Sequence, residues 1–158
     1  MTAITSRSPK SKTIAAWLAF LFGSLGLHRL YLFGIKDIGF WLTPLPTAAG
    51  LVGLARFYNI GQDDLLAWIL IPVFGICIAV ACGTAIFYAL MAPARWQAKY
   101  NPGHDLDDTH PSGLTNWLSV MVVVCALMIG AVALMSSLVM SFQAYFESQV
   151  EAARAISQ

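Results

Sequence analysis

Residues 65–91 read LLAWILIPVFGICIAVACGTAIFYALM, without one charged side chain. As a helix rising 1.5 Å per residue, a run of this length reaches about 40 Å, more than the roughly 30 Å of a bilayer's hydrocarbon core. Tilt, or a kink at Pro72, absorbs the excess. On the C-terminal side, Leu118–Met140 is also free of charge, and Trp117 stands before it as an interfacial anchor. On the N-terminal side lie two more apolar segments. Ile38–Tyr58 is interrupted by Pro44 and Pro46, and Thr13–Phe33 stops at Gly34. A cleaved leader is the rival reading of Thr13–Phe33, since Lys10 and Lys12 precede it and Ser24-Leu25-Gly26 is small. The apolar character runs on past that point.

Composition agrees with this pattern. Of the 158 residues, 58% are apolar and 11% charged, against about 25% charged in an ordinary soluble domain. So little polar surface implies that lipid covers the chain. The net charge of +1 gives no footprint for nucleic acid. The expected fold is an all-α integral membrane protein of about four transmembrane helices, arranged as two hairpins in series. The expected organisation is a disordered basic tail over 1–12, a helical hairpin over 13–64, a second hairpin over 65–142 with a loop at 93–113, and a tail over 143–158. In that tail Phe142, Phe146, Val150 and Ala153 recur at helical spacing, so the last helix is expected to continue as an amphipathic extension. No internal repeat stands out.

Small residues recur at every fourth position: Ala15, Ala19 and Gly23; Gly75, Ala79 and Gly83; Ala126 and Gly130, then Ala133 and Ser137. Such ridges let helices approach closely in lipid, within one chain or between chains. Cys77, Cys82 and Cys125 lie inside apolar runs and are read as small hydrophobes. Pro44 and Pro46 each lack an N–H and are expected to break the second helix, leaving backbone groups that need partners. Arg56, at the far end, is expected to snorkel. Asp63 and Asp64 suit the N-terminus of the third helix. The N-terminal basic cluster favours both termini on the cytoplasmic side, with the 93–113 loop outside.

Two segments carry candidate chemistry. Loop residues His104, Asp105, Asp107, Asp108 and His110 form a weak divalent-metal candidate, against the plainer reading of a solvated turn. The other segment is Gly26-Leu27-His28-Arg29-Leu30-Tyr31-Leu32-Phe33-Gly34, with two ionisable side chains side by side near the end of an apolar run. Arg29 is placed to reach headgroup phosphates and Tyr31 suits the aromatic belt. His28 is the one histidine in an apolar segment. It reads as a structural residue rather than a haem or metal ligand.

This segment resembles the TM-two domain family, which has a lysine-flanked first helix and a Gly-x-His-Arg-Phe-Tyr-Leu-Gly turn. Lys10 and Lys12 match the flank, and Gly26, His28, Arg29, Tyr31 and Leu32 match the turn. Leu30 replaces the family's Phe, and Phe33 is inserted before Gly34. The resemblance covers about residues 10–65. It implies a membrane-embedded interaction or regulatory module with no established enzymatic activity, here expected in a bacterial inner membrane; no cofactor is expected. The expected function is therefore a non-catalytic accessory, scaffold or regulatory subunit whose partners are the lipid bilayer and other membrane proteins or itself. The alternative is a small transporter or channel using the Pro44–Pro46 break, and a metal-dependent site at 104–110 is third.

Overall fold

The computed structural model describes residues 8–61, 64–104, 107 and 109–157. Among these, all regular structure is helical: α1 (Lys12–Phe22, continued by a 3₁₀ turn at Gly23–Leu25), α2 (Leu27–Phe33), α3 (Ile38–Leu42), α4 (Pro44–Ile60), α5 (Leu65–Leu90), α6 (Pro93–Tyr100) and α7 (Trp117–Ile156). Three helical stretches are long and apolar enough to cross a membrane: Ile38–Ile60, which joins α3 and α4, then α5, and α7.

The expected single helix over 13–33 is not formed. Lys12–Leu25 spans about 21 Å at 1.5 Å per residue, too short for a hydrocarbon core. The chain then reverses at Gly26, which sits at φ 79°, a conformation that costs glycine little and other residues much. A Cβ at Gly26 would also lie 3.1 Å from the Phe40 carbonyl oxygen. α2 returns beside α1: Tyr31 Oη accepts from the Ser11 N–H at 2.9 Å, and Lys10 Nζ donates to the Leu32 carbonyl. α3 and α4 then run the other way. The Pro44–Pro46 break is mild. Thr43 keeps right-handed helical angles, and both prolines fall in the first turn of α4, where a missing N–H costs nothing.

α5 is the axis. α1 runs antiparallel along its C-terminal half, with Lys12 beside Met91 and Gly23 against Ala81. α4 runs antiparallel along its N-terminal half, with Gly50 on Phe74 and Gly53 on Leu70. Two helices thus share one side of α5 end to end, so the first expected hairpin gives way to this stacking. Thr47 Oγ1 donates to the Ser24 carbonyl at 2.7 Å, filling the backbone group freed where α1 ends. α7 covers another side, with Gly130 on Cys82 and Ser137 on Gly75. Ala15, Ala19, Gly23, Ala126 and Gly130 are buried in these seams. Ala79 is half-buried beside Gly130, whereas Gly83 faces open space. Cys77, Cys82 and Cys125 are free thiols.

The 93–113 segment is not a simple loop. Pro93 opens α6, whose Trp96 is fully buried and Tyr100 nearly so. Trp96 Nε1 donates to the Lys10 carbonyl at 2.9 Å, and Lys12 N donates to the Ser112 carbonyl at 2.8 Å. Lys12, fully buried, donates through Nζ to Met91 O at the C-terminus of α5 and to Thr115 Oγ1, a position where the helix dipole favours a cation. Residues 10–12, assigned above to a disordered tail, are therefore pinned. This also corrects the expectation that N-terminus and loop lie on opposite faces. Lys10–Lys12 and residues 91–116 share one end of the bundle, and the C-terminal part of α7 points to the other. Arg7 lies outside the described residues.

The seams give a paired prediction. A Cβ at Gly50 would stand 2.8–2.9 Å from Phe74 backbone atoms, so Gly50→Ala should lower the thermal midpoint in detergent, with overpacking costing about 1–3 kcal/mol. Gly83→Ala meets nothing and should raise it, by up to about 1 kcal/mol from helix propensity. Equal midpoints would remove the close-approach account.

Candidate functional site: the Arg29 clamp and its cavity

The strongest polar constellation gathers where α2, α3 and α5 meet. Arg29, on α2, grips Asp37 with two hydrogen bonds, Nε to Oδ2 at 2.6 Å and Nη2 to Oδ1 at 3.2 Å. The guanidinium crosses α3 over Gly39, where a Cβ would lie within 2.1 Å of Cζ. It also stands 5.7 Å from the Phe33 ring centroid. Arg29, expected to reach headgroups, thus spends part of its hydrogen-bonding capacity on the α2–α3 turn. Gly34, at φ 84° and ψ −177°, makes that turn in a region reserved for glycine.

His28 is buried beside this clamp. Its ring lies 5.9 Å from Tyr88, and its Nδ1 has no hydrogen-bond partner among the described residues. Tyr88 meets Trp96 and Tyr100, each with centroids 6.0 Å away, and Phe33 meets Tyr100 at 6.0 Å. An aromatic cluster therefore ties α2 to α5 and α6. Beneath it opens a cavity of about 250 Å³ at mid-length of α5, lined by Ser24, His28, Arg29, Thr43, Pro46 and Cys77 among others. The hydroxyl of Thr43 is spent on the Gly39 carbonyl and that of Thr84, also lining, on Val80. Leu32 is buried against the core.

A second clamp has the same form. Arg56 Nε donates to Asp64 Oδ2 at 2.6 Å and Nη2 to Oδ1 at 3.0 Å, while Asp64 also accepts from Leu66 N at the start of α5. Arg56, expected to snorkel, is paired with Asp64 at that end of the bundle. Asp63 lies outside the described residues. In each clamp the acid follows the arginine by eight positions, and a positive-φ glycine, Gly34 or Gly61, stands between. Aligned on the clamps, the chain repeats itself: Gly23 with Gly50, Gly26 with Gly53, Leu27 with Leu54, Arg29 with Arg56, Tyr31 with Tyr58, Gly34 with Gly61, Asp37 with Asp64, Trp41 with Trp68. This internal repeat escaped the sequence reading. Comparing the chain with itself at an offset of 27 residues finds it, and with it the functional pairing of Asp37 and Asp64.

The loop candidates fare differently. His110 Nδ1 accepts from Ser112 N at 3.3 Å and lies 2.8 Å from its hydroxyl, which Gln97 also contacts. Thr109 Oγ1 donates to Asp107 Oδ2 at 3.1 Å. Among the described residues no three His, Cys, Asp or Glu side chains gather to hold a metal. Asp105 and Asp108 lie outside those residues. Here His110 serves the packing of α6 against the N-terminal segment.

The clamps predict an acid response. Hydrogen bonds from Arg29 hold the Asp37 carboxyl below its ordinary range, and those from Arg56 do the same for Asp64. A carboxyl with a lower folded pKa stabilises the fold above its unfolded value, about 3.9, and loses that contribution as pH falls through the folded value. The share of the thermal midpoint that the clamps supply should therefore be constant from neutral pH to about pH 4 and drop below it, apart from a separate decline below about pH 6.5 as the buried His28 resists charging. Asp37→Asn/Asp64→Asn should lower the neutral midpoint and shrink the acid drop. An undiminished acid drop in that variant would sink the assignment.

Compared with protein-family models, curated proteins and solved structures, the chain matches none.

Proposed function

We propose that this chain is a non-catalytic integral membrane protein, an accessory or scaffolding subunit that offers α7 to another membrane protein. The observation that carries the reading is the length of α7. Its 40 residues reach about 60 Å, twice a hydrocarbon core. Along its C-terminal part it presents Phe142, Tyr145, Phe146 and Val150, each half or more exposed. A helical apolar stripe of this kind suits a groove on a partner. The turn at Gly26–Gly34, with its resemblance to the TM-two domain family, agrees with an interaction module.

In this reading the chain crosses the bilayer three times, through α3–α4, α5 and α7, while α1 and α2 form a half-depth hairpin that enters and leaves by one face. Charge supports the orientation. Lys10, Lys12, Lys36, Arg95 and Lys99 collect at the end that holds α6, against Arg56 and Arg154 at the other, so the α6 end faces the cytoplasm. The C-terminus is then on the far side, in place of the cytoplasmic position expected from four spans. A second reading, a transporter or channel, draws on the mid-length cavity that Thr43 and Pro46 line beside His28 and Arg29. Ion flux through liposomes carrying the pure protein would favour it.

Two measurements test the proposal. In a chain with Cys77, Cys82 and Cys125 replaced by alanine, Thr109→Cys should react with an impermeant maleimide only from the cytoplasmic side, and Ile156→Cys only from the opposite side. Labelling of both from one side would overturn the three-span arrangement. Truncation after Ser141 should leave the thermal midpoint of the bundle unchanged while removing whatever protein co-purifies stoichiometrically with the full chain. Unchanged co-purification would overturn the role of α7.

A further inference from the structure

On the side of α5 that faces α2, protein does not fill the space. A groove of about 460 Å³ opens there, with Arg29, Phe33, Gly83, Phe87 and Lys99 among its walls. It adjoins the mid-length cavity, since Arg29, Val80 and Thr84 line both. Two cations border this one groove. Asp37 engages two of the five N–H donors of Arg29, leaving three for another acceptor. Lys99 is exposed, its ammonium 5.3 Å from the Tyr100 ring centroid, and no carboxylate among the described residues pairs with it. Below the cations the wall is apolar, formed by Val80, Gly83 and Phe87. A Cβ at Gly83 would meet nothing within 4 Å, so that stretch is flat and open to the side.

Depth decides what fits. Phe33, at the end of α2, meets Tyr100 of α6. Arg29, four residues earlier, lies about 6 Å deeper by helical rise. The two cations thus stand at headgroup and glycerol level, and the apolar wall continues toward the bilayer centre. Beyond it His28 lines the adjoining cavity with a buried nitrogen still free to hydrogen-bond.

We propose that this groove binds one anionic phospholipid, its phosphate between Lys99 and Arg29 and one acyl chain along Val80, Gly83 and Phe87. A phosphodiester takes a forked donor set from arginine and a point charge from lysine. Basic pockets between membrane helices hold anionic headgroups in this way. The proposal rests on the chain being embedded in lipid, but not on its orientation or on any partner of α7.

The test uses the full chain in neutral-detergent micelles, so a wrong orientation or a missing partner does not touch it. Titration with phosphatidylglycerol and with phosphatidylcholine, read by native mass spectrometry, should show one phosphatidylglycerol held about tenfold more tightly than phosphatidylcholine, roughly the share of one charge-assisted contact. Lys99→Gln should remove about that factor. Gly83→Leu, whose Cβ meets no atom within 4 Å and which leaves the charge unchanged, should weaken both lipids. Lys36→Gln, outside the groove, should change nothing. Equal affinity for the two lipids, or an unaffected Lys99→Gln, overturns the proposal. So does displacement of phosphatidylglycerol by millimolar inorganic phosphate, which would mark a site for a free anion.

Discussion

Close backbone approach along α5 is the constraint on which the other elements depend. In lipid, helices gain nothing from hiding apolar surface from water, so association relies on dense packing. Here it comes from glycine and alanine. Gly23 meets Ala81, Gly50 meets Phe74, Gly53 meets Leu70, and Gly130 meets Cys82. Of the long helices, α5 alone touches α1, α4 and α7 extensively. Because α1 and α4 share one side of it end to end, α1 has nowhere to continue beyond Ser24. The chain must double back, and Gly26 is where the backbone can do so.

Polar groups then close the end of the bundle that the packing leaves open. The carbonyl of Met91, the residue that follows α5, receives the Lys12 ammonium; the Lys10 carbonyl receives the Trp96 indole; Asn101 Oδ1 accepts from Lys10 N at 2.7 Å. Each of these links residues about 80–100 positions apart. Such bonds order residues 10–12 and α6 together, so neither is a free segment. The same bonds put the N-terminus and α6 at one end, which changes how the basic residues distribute between the two ends.

Much of the fold was legible in the sequence, and the gaps have physical causes. α5 and α7 were plain because long uncharged runs admit little else. The reversal at Gly26 was hidden because 13–33 is uniformly apolar and a glycine inside a helix is tolerated. Indeed Gly53, the repeat partner of Gly26, stays helical inside α4. α6 was masked by Pro93, Pro102 and Pro111, which read as a loop. Yet Pro93 suits a first helical turn, and Trp96 and Tyr100, four apart, share the face that is buried. The first arginine turn is legible at His28 and Arg29 and the second is not, and in both the acid lies across a turn, eight positions on, beyond the reach of helical spacing.

One motif with two backbones shows what tertiary context adds. In the second copy, α4 runs straight through Gly53 and lays both its glycines on α5, so Leu70 and Phe74 are covered. In the first copy the chain departs from α5 at Gly26 and returns as α2, and Gly83 stays open. The clamp is preserved in both, since Arg29–Asp37 and Arg56–Asp64 each close a turn around a positive-φ glycine. What differs is the surface left on α5. Where the second copy stays straight, both its glycines pack on α5; where the first folds back, a groove lies between α2 and α5 with an arginine at its edge. The eight positions shared between 23–41 and 50–68 keep the clamp in both copies, while the backbone that leads into it differs.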